Sequence, residues 1–446
     1  MKTPICDFVN EYKGSDKMRL HMPGHKGAGF IGVEASDITE IDGADVLYNA
    51  KGIIKESEEN AAKLFGAAKT LYSAEGSSLS IRAMLYLALL HGKVSGKKPI
   101  IAAARNAHKV FVTAAALLNF ETAWIFPENG ENIISCEITA EYLDAFLSGM
   151  SELPCAVYIT SPDYLGNIAD INGLSAVCKK HGVLLLVDNA HGAYLNFLPE
   201  NIHPIALGAD ICCDSAHKTL PVLTGGAYLH ISEKAPQMIC ENAENAMSLF
   251  ASTSPSYLIL QSLDAANAYL ENGYRERLAE YIKKVAALKE KLADAGYGLV
   301  GEEKLKITLA PKKHGYAGNE IAEILSKNGI ECEFSDHDFT VLMLTPENGK
   351  ECLEMLEKIL CAIEKRKEIA EKPPVIAAAK IAMSPREAIF AESEEIEIEK
   401  SLGRVLASAA VNCPPAIPIV VCGEVIDEAA ICAFKYYGIK NCRVIK

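Results

Sequence analysis

The sequence predicts an α/β fold built on a mostly parallel sheet, followed by a smaller α+β domain and a C-terminal α+β domain. Short apolar runs (PIIAAA, TAWIFP, CAVYITS, GVLLLVDNA and ADICCDS) recur between residues 99 and 215, separated by helical stretches such as GLSAVCKKHG. Near-continuous apolar strands alternating with helices are what a sheet covered on both faces requires. A long helical region, SLDAANAYLENGYRERLAEYIKKVAALKEKLADAG, then precedes KITLAP, a helix around EIAEILSKNG, and the strand-like ECEFSD and FTVLMLTP. Beyond a polar, proline-containing linker near 370 (EIAEKPPV), IPIVVCG and DEAAICAFKYYG supply one more strand and helix. These shifts divide the chain into an N-terminal arm (1–55), a large domain (56–255), a small domain (256–370) and a C-terminal domain (371–446). Within the arm, HMPGHKGAGF is rich in glycine and basic residues and reads as a loop.

Composition narrows the function. A chain of 446 residues that is 50% hydrophobic and 23% charged is expected to be a globular protein with a sizeable core. Its formal charge of −14 disfavours nucleic acid and anionic membrane surfaces as partners, because both would repel it. The fourteen cysteines show no CxxC or Cys/His metal spacing. Cys155, Cys178, Cys212 and Cys213 sit in apolar stretches, so reduced thiols in a cytoplasmic protein are expected, with no metal. No apolar leader core or membrane-length run is visible.

The chemistry gathers at strand ends, where ligands of open α/β sheets bind. GVLLLVDNAHGA puts Asp188 at the tip of a buried strand. ADICCDSAHKTL puts Ser215, His217 and Lys218 just past the tip of another, thirty residues on. An amine and a carboxylate so placed suit pyridoxal 5'-phosphate, which needs a Schiff-base lysine and an acid to keep its ring nitrogen protonated. Each alone has an ordinary alternative, a helix cap or metal ligand for the aspartate among them. In AEGSSLSIRAML, a small-residue turn opens a helix, so Gly76, Ser77 and Ser78 offer donors to a phosphate at its positive end. The bland alternative is a plain N-cap. His108, in ARNAHKVF, could stack on the cofactor ring or cap a helix, and Ala190 is small enough to pack against the other ring face.

HMPGHKGAG, GIIKESEENAAKLFGA, EGSS, RNAHK, ITSPDYLG, VDNAHGA, DSAHKTL with LTGGAYLHI, and STSPSYLILQSLDAA stand in the order and spacing of the Orn/Lys/Arg decarboxylase family. The chain resembles its shorter bacterial members throughout, and SPREAIFAESEEIEIEKSLGR with PPAIPIVVCGE looks like the family's C-terminal domain. The resemblance implies a fold-type I pyridoxal-phosphate enzyme that decarboxylates arginine, lysine or ornithine in polyamine metabolism, with arginine favoured. It implies Lys218 as the Schiff-base lysine, Asp188 as partner of the ring nitrogen, and His108 as the stacking ring. Ser77, Ser78, Ser215 and His217 would hold the phosphate, and His191 would lie near the ring hydroxyl or the substrate. It further implies a homodimer, or a larger homo-oligomer, with shared sites that Thr253, Ser254, His25 and Lys26 approach.

The chain departs from the resembled pattern at Val46, Leu47 and Tyr48, at Asn189 and Tyr194 in DNAHGAY, at Gly225 after Thr224, and at Val110. These changes gather where contacts to substrate and ring edge are expected. Competing readings are another fold-type I reaction (transamination or lyase chemistry), or a non-catalytic regulatory homologue. A transaminase needs an arginine for the substrate carboxylate. FTVLMLTP has none, leaving Arg386 and Arg404 as candidates. Glu424 is a candidate for ordering the C-terminal domain.

Overall fold

The computed structural model describes residues 1–128, 132–375, 378–409, 412–413 and 416–446. In chain order its first strands are β1 (Lys69–Ser73), β2 (Ile100–Ala104), β3 (Glu121–Ile125), β4 (Ala156–Thr160), β5 (Leu184–Asp188), β6 (Ile211–Asp214) and β7 (Ala227–Ile231). The helices α1 (Pro4–Lys13), α2 (Ile53–Phe65), α3 (Ser77–Val94) and α4 (Lys109–Leu118) are the first four. The architecture is mixed α/β with mostly parallel strands, as the alternation predicts. The chain divides into two compact units, one of residues 1–96 and 178–278, the other of 97–177 and 279–446.

In the first unit β5 and β6 pair in parallel, with Asp188 opposite Cys213, while β6–β7 and β7–β1 are antiparallel. Every residue of β5, β6 and β7 is buried, which their apolar sequences require. Helix α3 packs on the helix Gln237–Ser248, and α1, α2 and Tyr257–Glu271 pack on one another. Helix α1 lies inside the segment read only as an arm. Its apolar stripe, Ile5, Val9 and Tyr12, is buried, and Asp264 accepts hydrogen bonds from the Ile5 and Cys6 N–H groups, both at 2.9 Å. A distant carboxylate therefore satisfies that helix N-terminus, and the Thr3 side chain makes no capping bond to it. The long helical region breaks into Tyr257–Glu271 and Tyr274–Asp294 at Gly273, whose φ of 70° is open to glycine at no cost.

In the second unit β2 pairs in parallel with β3 and with β4. Four short strands, Gly298–Val300, Lys306–Ala310, Phe334–Ser335 and Thr340–Met343, form an antiparallel sheet in the small-domain region. Ser393–Glu397 pairs with Asn441–Ile445 near the C-terminus. Of IPIVVCG only Ile417–Pro418 is strand. Arg105, 5% exposed, donates to Pro418 O (2.8 Å) and Ile419 O (2.9 Å) beside Trp124. Glu424 is buried, accepts from Val421 N–H (2.7 Å) and lies 4.0 Å from Arg105, so it orders this segment from within. Arg386 donates to Ala116 O (3.1 Å) and Arg404 to Glu394 (2.8 Å), so both candidate arginines serve local structure. All described cysteines are free thiols, and no helix among the described residues is long and apolar enough to cross a membrane.

Glu58, on the buried face of α2, accepts from Tyr72 N–H at 2.9 Å. Burial pushes its carboxyl up to about 8, against roughly 4.3 in an unfolded chain. The folded protein thus keeps a proton that the unfolded chain releases. This contribution is full below about pH 4 and is lost as pH rises through about 8. Glu58→Gln should flatten the fall of melting temperature between about pH 5 and 8.5, and melt above wild type at the upper end. A variant that follows the wild-type curve would contradict this assignment.

Candidate active site

The parallel register of β5 and β6 sets two strand tips side by side. Asp188 ends β5 and is 3% exposed; its Oδ1 accepts from Ala190 N–H (3.2 Å) and lies 3.6 Å from Cys213 Sγ. Past the end of β6, Ser215 opens the single helical turn Ala216–Thr219, which carries His217 and Lys218. Lys218 Nζ lies 2.9 Å from Nε2 of His191, three residues beyond Asp188. At that distance an ammonium donates to the ring nitrogen, so amine and imidazole can exchange a proton.

The small-residue turn also comes to these tips. Ser215 Oγ donates to Ser77 Oγ at 2.6 Å, at the first residue of the 18-residue helix α3. Ser78 follows in the same first turn, where backbone N–H groups have no intrahelical acceptors. Gly76 adopts φ 71° and donates its N–H to Gly225 O at 2.7 Å. Gly225, one of the departures, has φ 100°, and a Cβ there would meet Ala74 O at 3.1 Å and Ile259 Cδ1 at 3.0 Å. Glycine is thus what lets the two loops close. His217 donates Nδ1–H to Gly226 O (3.0 Å), which fixes the ring and leaves Nε2 as its other polar atom. Glu75 accepts from Ser252 N–H (2.6 Å), tying the STSPSY segment to the same turn, with Thr253 and Ser254 exposed.

Other expected residues are used locally. His108, in the second unit, is the N-cap of α4, its Nδ1 accepting from Val110 N–H at 3.2 Å, as the capping alternative has it. His25 bonds to Asp37 (3.1 Å), and Lys26 donates to His21 O. Tyr48 has φ 66°, and burial, with Glu58 and Glu75 nearby, raises its hydroxyl far above the ordinary range. Tyr194 is fully buried.

Sequence reasoning missed the network beneath the tips. Asp214, the last residue of β6, accepts from His203 Nε2 (3.0 Å), His230 Nε2 (3.2 Å) and Asn189 Nδ2 (2.7 Å), all fully buried. Their ligand atoms lie close enough together to hold a metal ion, but hydrogen bonds account for the grouping. His203 Nδ1 accepts from Ile205 N–H and His230 Nδ1 faces the Thr70 hydroxyl (2.8 Å), which puts each ring proton on the Nε2 aimed at the carboxylate. Burial alone would raise Asp214; the two imidazoles outweigh it and hold the carboxyl well below its usual range. The one sequence signal was a buried aspartate and histidine on successive apolar strands.

The matches to known proteins define an enzyme, a decarboxylase. Residues 3–309 match the Orn/Lys/Arg decarboxylase major domain and residues 366–441 that family's C-terminal domain, so the chain belongs to the Orn/Lys/Arg decarboxylase family. It is 30% identical to an arginine decarboxylase of Bacillus subtilis over 463 residues, covering 96% of this chain and 92% of that protein. An arginine decarboxylase of Halalkalibacterium halodurans is likewise 30% identical, over 96% and 92%. The fold is similar to Francisella novicida lysine decarboxylase LdcF (TM-score 0.81, 16% identity, 100% of this chain and 81% of that one). A serine palmitoyltransferase of Sphingomonas wittichii shares the fold over 70% of this chain and 77% of its own (TM-score 0.54, 18% identity).

Gly225→Ala should destabilise the protein by about 2 kcal/mol through its strained φ and the contact with Ala74 O. Gly182→Ala is the comparison, since Gly182 has φ 61° but nothing within 4 Å of a Cβ. It should cost nearer 1 kcal/mol. Equal losses in urea denaturation would show that the close approach at Gly225 carries no weight.

Proposed function

We propose that this decarboxylase uses pyridoxal 5'-phosphate to remove the α-carboxylate of a basic amino acid, arginine before lysine or ornithine. The observation that carries the reading is the Lys218–His191 pair at 2.9 Å, one strand away from the buried Asp188. The cofactor fits the donor set: an amine, a buried carboxylate at the neighbouring tip, and two hydroxyls 2.6 Å apart at a helix N-terminus. Lys218 would hold it covalently and Asp188 would face its ring nitrogen. Gly76, Ser77, Ser78, Ser215 and His217 would hold its phosphate, Ala190 would pack on the ring, and His108 would stack on it. When bound, the cofactor supplies an electron sink that stabilises the electron pair left at Cα.

The chain's own residues do the rest. Asp188, buried at the strand tip, would aim its carboxyl at the ring nitrogen in a low-dielectric setting, where charge acts strongly. Loss of CO2 leaves the electron pair of the broken bond at Cα, and a proton must be delivered there to give the amine. Lys218 and His191 are spaced to hold that proton and to pass it between them. The names of the arginine decarboxylase relatives favour arginine, and the amine so formed would give the enzyme a place in polyamine metabolism. The free thiols fit a cytoplasmic protein.

A second copy of the chain is the proposed partner, with sites shared across a homodimer. The arm leaves Met18 (81%), Leu20 (84%), Phe30 (80%) and Ile31 (83%) exposed, apolar surface that a partner would cover.

Purified protein loaded with pyridoxal phosphate should release agmatine from arginine faster than cadaverine from lysine or putrescine from ornithine, read by mass spectrometry. Lys218→Ala should abolish turnover, and Asp188→Ala should lower kcat by about a thousandfold while retaining some cofactor. No amine from any of the three substrates, or an active Lys218→Ala protein, would overturn the reading. In sedimentation the protein should run at twice the chain mass, and Phe30→Asp with Ile31→Asp should shift it toward the monomer.

A further inference from the structure

Asn189 stands between Asp188 and His191 and is held at several points, all buried. Its backbone N–H donates to Cys213 O (3.0 Å), its carbonyl accepts from Gly192 N–H (2.8 Å), and its Nδ2 donates to Asp214 Oδ1 (2.7 Å). A carboxylate only accepts, so the amide must present its NH2 group there. The rest of the Asp214 carboxylate is occupied by the imidazoles of His203 and His230, with Cys212 Sγ 3.5 Å from Oδ1. Asp188, Cys213 and Tyr228 are the other titratable groups nearby, and Asn189 Oδ1 is buried without a partner. Leaving that oxygen unsatisfied costs free energy, so some benefit elsewhere must hold the side chain in place. The residues fixed by this arrangement are the ends of β5 and β6, which carry Asp188 and His191 on one side and Ser215 and Lys218 on the other.

We infer that Asn189 and Asp214 form a positioning pair, whose donor–acceptor match sets the Lys218–His191 contact and the aim of Asp188. The inference rests on the function proposed above. It depends on complementarity across the pair: one partner must donate and the other accept. Asn189→Asp sets two carboxylates face to face in a dry site, where they can remain together only by sharing a proton. Its defect must therefore grow as pH rises and ease as pH falls. Adding Asp214→Asn restores a match with the roles exchanged. The amide introduced on β6 then donates to the carboxylate introduced after β5, while its oxygen still accepts from the two imidazoles.

The test is a titration of cofactor-free protein with pyridoxal phosphate, followed by absorbance at pH values from about 6 to 8.5, with kcat and KM measured alongside. Asn189→Asp should bind the cofactor about tenfold more weakly at the upper pH, and its kcat should fall more than its KM changes, with both losses shrinking toward pH 6. The double variant Asn189→Asp/Asp214→Asn should return to within about threefold of wild type across the range. If Asn189→Asp does not fold, recovery of folding and cofactor binding in the double variant supports the pair. An Asn189→Asp protein that matches wild type at every pH, or a loss that the double variant does not recover, overturns the inference while the decarboxylase reading stands. Wild-type protein that binds no pyridoxal phosphate overturns the cofactor reading on which the inference rests.

Discussion

The parallel register of β5 and β6 is the constraint on which the site depends. With Asp188 opposite Cys213, two chain reversals emerge from neighbouring tips, and their side chains can meet. A slip of one residue would turn Asp188 into the opposite face and separate Lys218 from His191. The register is protected by burial, because both strands are apolar on each face and neither can shift without exposing that surface or its hydrogen-bonding groups.

Charge placement follows the same logic. The first unit buries several acids yet gives each a distinct reason to be there. Asp264 receives the N-terminus of α1, Glu58 is kept protonated against β1, and Asp214 is held ionised by two imidazoles. Asp188 differs in lying at the strand tip, where a ligand can approach. In the second unit Arg105 does the comparable work, gathering the carbonyls of the Pro418–Ile419 segment beside Glu424.

Much of this was legible beforehand, for a physical reason. Strand tips can be read from apolar runs that stop abruptly, so Asp188, Ser215 and Lys218 were identifiable as tip residues, and the glycine–serine turn as a helix start. The contacts that depend on how loops fold back were not legible. Lys218 meeting His191, Ser215 meeting Ser77, and Gly225 closing on Gly76 all join residues whose separation along the chain carries no periodic signal. His203 and His230 looked like ordinary histidines because their significance is a shared acceptor. Helix α1 was missed because its cap is Asp264, more than 250 residues away. His108 kept both of its sequence readings open, and the capping bond to Val110 is the one seen directly.

The central claim is that Lys218 is the amine that takes the cofactor. Protein incubated with pyridoxal phosphate, reduced with borohydride and digested would show by mass spectrometry which lysine carries the phosphopyridoxyl group. The account predicts one dominant modification, on Lys218. A label on another lysine, or no stable label at all, would contradict it.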